Sequence, residues 1–501
     1  MTDSVRRLAP LVLLLVASGA SAQDRPSLRQ DSLPPLPDSL RLYGGTLPTR
    51  PALPGFDAPA PAVRLSLQEA VQIALSANPD QAISELEAAR AVNDVTLGNA
   101  GYLPTVDASA GLIGSRSGSL FGGGGGDSTG ASSGGGGGRG STVLDASLAA
   151  TYTLFDGGLR DATLDRLQAE ARRFAYLADA DAEALALDVS AAYLDAARQK
   201  ALADAFAEAI EVSEDRLRLA QAEVQIGTAA EIDAALALAD YNADRAALLQ
   251  QQVLAAGARA SLGGLLALPT PEAVIVTDSL ALGGPLALDA LVTQAVDGNR
   301  RVLAFEAAEQ VAEQAIRQVR SEWRPTVRAS AGVGLTLFND GFLPPGLSPT
   351  LGPDLRAGLT ASLPIFDAGE RQRRLQNAQI ALQQSELATS SVRVSNRARA
   401  ARLAATARGF RALAELETLN ETIARENVRV ALAQLRLGFI TPVDLRQIQL
   451  TLVDVRRRRV EAVYQVGLAE AELQLLAGTL LPPEANVSPE ILDGIDPRTR
   501  R

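Results

Sequence analysis

Leu65-Ser66-Leu67-Gln68-Glu69-Ala70-Val71 recurs as Leu286-Ala287-Leu288-Asp289-Ala290-Leu291-Val292, an offset of 221 residues (65 to 286). Asn78 and Asn299 keep that offset, as do Tyr102 and Trp323, Pro104-Thr105-Val106 and Pro325-Thr326-Val327. Farther on the offset is 211 (155 to 366). Phe155-Asp156-Gly157-Gly158 matches Phe366-Asp367-Ala368-Gly369, and Gly227 and Asp233 match Gly438 and Asp444. The ten-residue difference falls where the first copy carries a Gly/Ser-rich insert (Gly114 to Ser141), which reads as an exposed loop. A period this long excludes a short-repeat solenoid and predicts a duplicated domain.

Each copy changes periodicity twice. Ser66 to about Asn99 has helical spacing, interrupted at Asn78-Pro79. Period 2 follows: Val106, Ala108, Ala110 and Leu112 alternate with Asp107, Ser109 and Gly111, and Leu144 to Leu154 alternate in the same way. In the second copy Val327 to Leu335 and Leu355 to Ile365 alternate too. Strands are predicted at about 103–113, 143–155, 325–336 and 355–366. One apolar and one polar face fits a membrane barrel or a half-buried soluble sheet. The flanking aromatics favour the membrane: Tyr102 and Trp323 precede strands and Phe155 and Phe366 end them, so all four fall at one edge of the sheet. Four strands cannot close a barrel with a lumen, and open edges are not tolerated in lipid, so this reading requires several chains.

After each strand pair comes a long proline-free stretch rich in Ala, Leu, Glu and Arg. Hairpins of helices are predicted at 158–262 and 369–477, with their tips at Gly227 and Gly438, where a left-handed residue stops the first helix. Thr441 and Pro442 suit the cap and first turn of a return helix. Leu416, Ile423, Val430 and Leu437 lie seven apart and read as a coiled-coil seam. Arg456 to Arg459 point around all sides of their helix, so a solvated or inter-helix salt-bridging role fits them better than a partner site.

The 501 residues carry a net charge of −11, which disfavours a broad nucleic-acid surface. There is no His or Cys, and the single Met is the first residue, which excludes His triads, thiol nucleophiles, His/Cys metal sites and disulfides. Arg6-Arg7, the apolar Leu8 to Val16 and Ala20-Ser21-Ala22 read as a signal peptide over 1–22. Residues 23–62 form a Pro-rich lead-in. The two copies span 63–283 and 284–482, with a tail at 483–501.

The Leu-x-Leu openings with Asn78 and Asn299, the Pro-Thr-Val strand starts, Phe-Asp-x-Gly and the Gly-x5-Asp tips together resemble the TolC-like outer-membrane efflux family. The resemblance covers about Leu65 to Gly478. It implies a mainly helical chain with a membrane β-barrel portion. Three chains would give a twelve-stranded barrel over a periplasmic helical tunnel. It also implies an outer-membrane location, a periplasmic adaptor (membrane fusion) protein, an inner-membrane transporter of the RND, ABC or a similar class, no cofactor and no catalysis. The chain lacks the lipid-carrying cysteine that some members have after the signal. The family's entrance carboxylates map onto Asp233 and Asp444, and Glu231 adds a third acid at the tip. Threefold symmetry would make these acidic rings, able to select cations or respond to pH. A second tip aspartate of some members is Gln447 here, and a latching arginine is Ile440. Two other readings stay open: a structural coiled-coil protein of the envelope without channel activity, and an enzyme working through Asp/Glu chemistry.

Overall fold

The computed structural model describes residues 62–117, 139–339 and 350–482, all within the unit that runs from Gly55 to Arg501. The expected signal peptide, nearly all of the expected lead-in, most of the Gly/Ser-rich insert and the tail lie outside the described residues. In chain order the elements are β1 (Val63–Leu65), α1 (Leu67–Ala77), α2 (Pro79–Asp94), β2 (Thr105–Ser117), β3 (Arg139–Phe155), α3 (Leu159–Gln225) and α4 (Glu231–Leu265). Then come β4 (Val274–Val276), α5 (Leu288–Asp297), α6 (Arg300–Ser321), β5 (Thr326–Asn339), β6 (Thr350–Ser362), α7 (Glu370–Arg436) and α8 (Pro442–Ala477).

The repeated motifs are local stop and start signals. Asn78 separates α1 from α2: its Oδ1 accepts the N–H groups of Asp80 (2.9 Å) and Gln81 (3.4 Å), and Pro79 takes the first helical position. Asn299 caps α6 in the same way through Arg301 and Val302. Both asparagines also donate Nδ2 to the end of a return helix, Asn78 to the Leu265 carbonyl and Asn299 to that of Leu475. One side chain thus begins one helix and satisfies an orphan carbonyl at the end of another. In Phe-Asp-x-Gly the glycine is the N-cap, and the aspartate two residues before it ties down the turn into the helix. Asp156 accepts from the N–H of Gly158 and Arg160, and Asp367 from those of Gly369 and Arg371.

α3 and α7 are each 67 residues, about 100 Å of helix. The helical interior is alanine-rich: α3 buries Ala171, Ala175, Ala178, Ala182 and Ala186 at three- and four-residue spacing, which lets neighbouring helices approach closely. Tyr193 is the large exception. Its hydroxyl donates to the Leu65 carbonyl at 2.9 Å and accepts the Asp278 N–H at 3.1 Å. It thereby holds the parallel β1–β4 pair, which periodicity did not reveal.

The other sheet is antiparallel, in the order β2-β3-β5-β6. Its register gives Ala108, Leu148, Val333 and Leu355 one apolar row, and Asp107, Ala149, Gly332 and Arg356 a row on the opposite face. The strands differ from the expected ones at their ends. β2 runs on to Ser117, and β6 stops at Ser362, four residues short of the expected Phe366; Pro364 has no N–H to continue the ladder.

A second difference concerns the heptad of α7. The residues that α7 buries include Ala400, Leu403, Ala407, Ala414, Val428 and Leu435. Leu416, Ile423, Val430 and Leu437 are 54%, 52%, 41% and 70% exposed. The sevenfold seam therefore points away from the chain's own hairpin partner.

Candidate functional site at the hairpin tips

Each long helix stops at a glycine in the left-handed region, Gly227 at φ 76° and Gly438 at φ 74°. Thr228 N–H and Phe439 N–H turn back to the carbonyls of Glu223 and Gln434, both at 2.9 Å. The return helices begin a few residues beyond, with an aspartate at the third helical position. At α8 the box is complete: Thr441 Oγ accepts the Asp444 N–H (3.2 Å), and Asp444 Oδ2 accepts the Thr441 N–H (3.0 Å) and hydroxyl (2.7 Å). At α4 only half is possible, because the cap is Ala230, whose N–H donates to Asp233 Oδ2 at 3.1 Å. The Thr441 hydroxyl, with its N–H, holds the Asp444 carboxyl below the usual aspartate range. Among the described residues, Oδ1 of both aspartates has no hydrogen-bond partner. Glu231 is exposed in the same first turn as Asp233.

Behind the tips, polar contacts join the two hairpins. Arg446 of α8 forks onto Asp244 of α4 at 2.7 and 2.8 Å, and Ser213 of α3 donates to the same carboxylate at 2.6 Å. Arg216 pairs with Asp240 and reaches the Pro442 carbonyl at 3.4 Å. Sequence reading missed these residues, because nothing in their spacing marks a contact between hairpins two hundred residues apart. A groove of about 490 Å³ lies between the tips, lined among others by Leu219, Asp233, Leu236, Leu435, Val443 and Arg446. Ile440 is packed with Leu435 and Leu445, and Gln447 is exposed. Higher on the seam, buried Arg456 bridges Glu208 of α3 (2.6 Å) and Glu421 of α7 (3.2 Å), and Arg458 and Arg459 pair with Glu417 and Glu421.

The four aromatics do not form a uniform row on strands. Phe155 ends β3, but Phe366 lies past the end of β6. Tyr102 and Trp323 precede their strands, each beside an arginine at the start of a long helix: Arg160 lies 5.2 Å from the Tyr102 ring and Arg371 5.6 Å from that of Trp323. Tyr102 also packs against the α2–α3 cluster, and its hydroxyl meets Asp161. Among the described residues no helix is long and apolar enough to cross a membrane, and no group of three or more His, Cys, Asp or Glu could hold a metal.

The chain matches the outer membrane efflux protein family over residues 70–268 and 291–479. A relative, Protein CyaE of Bordetella pertussis, is 28% identical over 386 residues, spanning 73% of this chain and 76% of that protein. Among solved structures, the CmeC outer membrane channel of Campylobacter jejuni superposes with a TM-score of 0.68 at 14% identity, covering 86% of this chain and 90% of that one. The outer membrane protein VceC of Vibrio cholerae gives 0.66 at 16% identity over 82% and 96%. The open state of the MtrE outer membrane channel of Neisseria gonorrhoeae gives 0.62 at 20% identity over 83% and 89%.

Proposed function

We infer that this chain, which belongs to the outer membrane efflux protein family, works as one third of a closed duct running from the outer membrane into the periplasm. The observation that carries the reading is incompleteness. The four-stranded sheet leaves β2 and β6 unpaired at its edges. Its apolar face is bare, with Leu355 84% and Leu359 69% exposed. Such a sheet is stable in lipid only when further strands close it, because the bilayer core offers no hydrogen bonds to an open edge. Three copies of four strands make a barrel of about twelve, within the range of outer-membrane barrels. The matching elements at offsets of 221 and 211 residues support descent by internal duplication.

On this reading the hairpin tips are the periplasmic entrance. Asp233, Asp444 and Glu231 line it as acidic rings, and the arginine–aromatic pairs at Tyr102 and Trp323 sit at the periplasmic interface of the outer membrane with Phe155 and Phe366. A periplasmic adaptor and an inner-membrane transporter deliver cargo to the entrance, and the duct itself carries out no chemistry. Aspartates tied to their caps through Oδ2 keep Oδ1 directed to solvent, which suits attraction of cations at a narrow mouth. Planar-bilayer conductance of the purified protein tests this. The wild-type protein is expected to conduct with cation preference, and Asp233→Ala with Asp444→Ala to lose that preference. Unchanged selectivity in the double variant rejects the acidic rings, and absence of any conductance from a well-folded protein rejects the duct.

A further inference from the structure

α6 lies antiparallel on α3, and its two ends are fastened differently. Near its C-terminal end Arg317 pairs with Asp165 at 2.8 Å, and Gln318 donates to the Thr163 hydroxyl at 2.9 Å. Between the ends α6 buries the small or apolar Val302, Ala304, Ala307 and Ile316. At the N-terminal end stands Arg300, whose Nε lies 3.9 Å from Glu183 Oε1, too far for a hydrogen bond. Neither atom has a hydrogen-bond partner among the described residues.

Glu183 and Asp179 are both buried, one helical turn apart. The ionisable groups on the surrounding elements are engaged elsewhere or open to solvent. On α3 itself, Asp181 is exposed and accepts the Ser84 hydroxyl of α2 at 2.6 Å. α2 also brings Asp80, which is exposed, and Glu85, which accepts Gln81 Nε2 at 2.9 Å. On α6, Arg301 is exposed and Glu306 pairs with Arg393 of α7. The last ionisable residue of α8, Glu472, pairs with Arg399 at 2.9 Å, and that of α4, Arg259, lies nearer the tips. α1 and the chain beyond α8 meet this part of α3 with Val71, Leu75, Leu480 and Leu481.

The matching helices act as a comparison within the chain. At the offset of 211, Asp179 and Glu183 correspond to Ser390 and Val394 of α7; at 221, Arg300 corresponds to Pro79 of α2. α7 reaches the same 67 residues without the acids, and α2 starts without the arginine. The recurring architecture therefore does not require these three charges. Burying a carboxylate costs stability that an apolar side chain would not. A cost carried in one of two matching helices marks a group whose change of charge is used. Burial pushes the Glu183 carboxyl up to about 7, against the pull of Arg300 and with the help of Asp179.

We propose that Glu183, with Asp179 and Arg300, forms a proton-controlled joint between α3 and α6: the protonated acid lets the N-terminal half of α6 lie on α3, and the carboxylate releases it. Arg317 and Gln318 keep the C-terminal half fastened, so α6 pivots rather than detaches. The movement reaches α8. Asn299 donates to the Leu475 carbonyl at 3.4 Å, and a Cβ on Gly298 would lie 2.8 Å from the Ala477 carbonyl oxygen. When α6 lifts, Glu183 is solvated and titrates near its ordinary 4.5. The docked form is thus favoured in full below that pH and loses its advantage as pH rises through about 7.

Amide hydrogen exchange of the full-length protein in detergent, expressed as protection factors, tests the joint. Between about pH 5 and about pH 8, protection of residues 301–308 is expected to fall by about tenfold or more, while that of 316–321 stays nearly constant. Glu183→Gln should keep 301–308 protected at both pH values. Asp179→Asn removes a neighbour that raises the carboxyl and should shrink the fall, whereas Arg300→Gln removes the opposing cation and should enlarge it. A fall shared equally by both halves of α6, or one that persists in Glu183→Gln, overturns the joint. If Glu183→Gln does not fold, the other two variants decide: falls equal to that of the wild-type protein in both overturn it.

Discussion

At the scale of single residues, the buried carboxylates of α3 carry a consequence for pH. Glu183 and Asp179 are 2% and 0% exposed, one helical turn apart, and Arg300 of α6 lies 3.9 Å from Glu183. Burial pushes the Glu183 carboxyl up to about 7 from 4.5; Arg300 opposes the shift and Asp179 adds to it. Because the folded value is raised, the stability Glu183 contributes is full below pH 4.5 and is lost as pH rises through about 7. The melting temperature should therefore fall between about pH 5 and pH 8, and Glu183→Gln should remove most of that fall. Parallel melting curves for the two proteins would contradict this. The acidic pair was invisible as a pair in the sequence, where it is two of many acids on a long helix. Only the packing of α6 against α3 buries it. Asn78 and Asn299, by contrast, were legible as helix starts from Asn-Pro and from the repeat, although their second bond to a return helix was not.

Among the elements, the two turns that launch the long helices differ at one backbone position. Gly157 (φ 71°) and Ala368 (φ 54°) both occupy the left-handed region, which costs a residue with a Cβ about 1–2 kcal/mol. Ala368→Gly should thus stabilise the protein by about 0.5–1 kcal/mol, once the extra chain entropy of glycine is deducted. The converse change is not symmetrical. A Cβ on Gly157 would lie 2.6 Å from Arg324 Cβ and 2.8 Å from the Ser321 carbonyl oxygen, so Gly157→Ala should destabilise by about 2 kcal/mol or more. Chemical denaturation of both variants measures the two signs directly. The helices themselves were readable because nothing breaks them over 67 residues. Strand ends were less so, since Pro364 stops β6 by removing a donor while the alternation of side chains continues past it.

For the whole molecule, the unpaired strand edges and bare apolar face make detergent a requirement. The protein is expected to fractionate with outer membranes, to need detergent for extraction and to run in it at the mass of three chains. Recovery as a soluble monomer would return the chain to the alternative of a structural envelope protein. Between its hairpins the chain is joined by polar contacts: Arg446 on Asp244, Arg456 of α8 on Glu208 of α3, and Arg216 on the Pro442 carbonyl. No single helix face can hold the run Arg456 to Arg459, and its members divide accordingly: Arg456, Arg458 and Arg459 bridge to other helices, while Arg457 is solvated and pairs only with Asp454 of its own helix.

The sequence by itself determined the recurrence of the motifs, the strand-then-hairpin order and the positions of the tips, because periodicity, caps and glycine stops act within a few residues of each other. It also held the heptad of α7, whose period is a local property. Which neighbour that heptad faces is not local. Only the tertiary structure decided that Leu416, Ile423, Val430 and Leu437 turn outward, because the alanines of α7 already fill the contact with α8 and a helix has no room for two seams on one face. The same holds for the tip aspartates. Their spacing was plain in the chain, but their capping bonds and the ion pairs behind them depend on side chains that meet only when the two hairpins lie together.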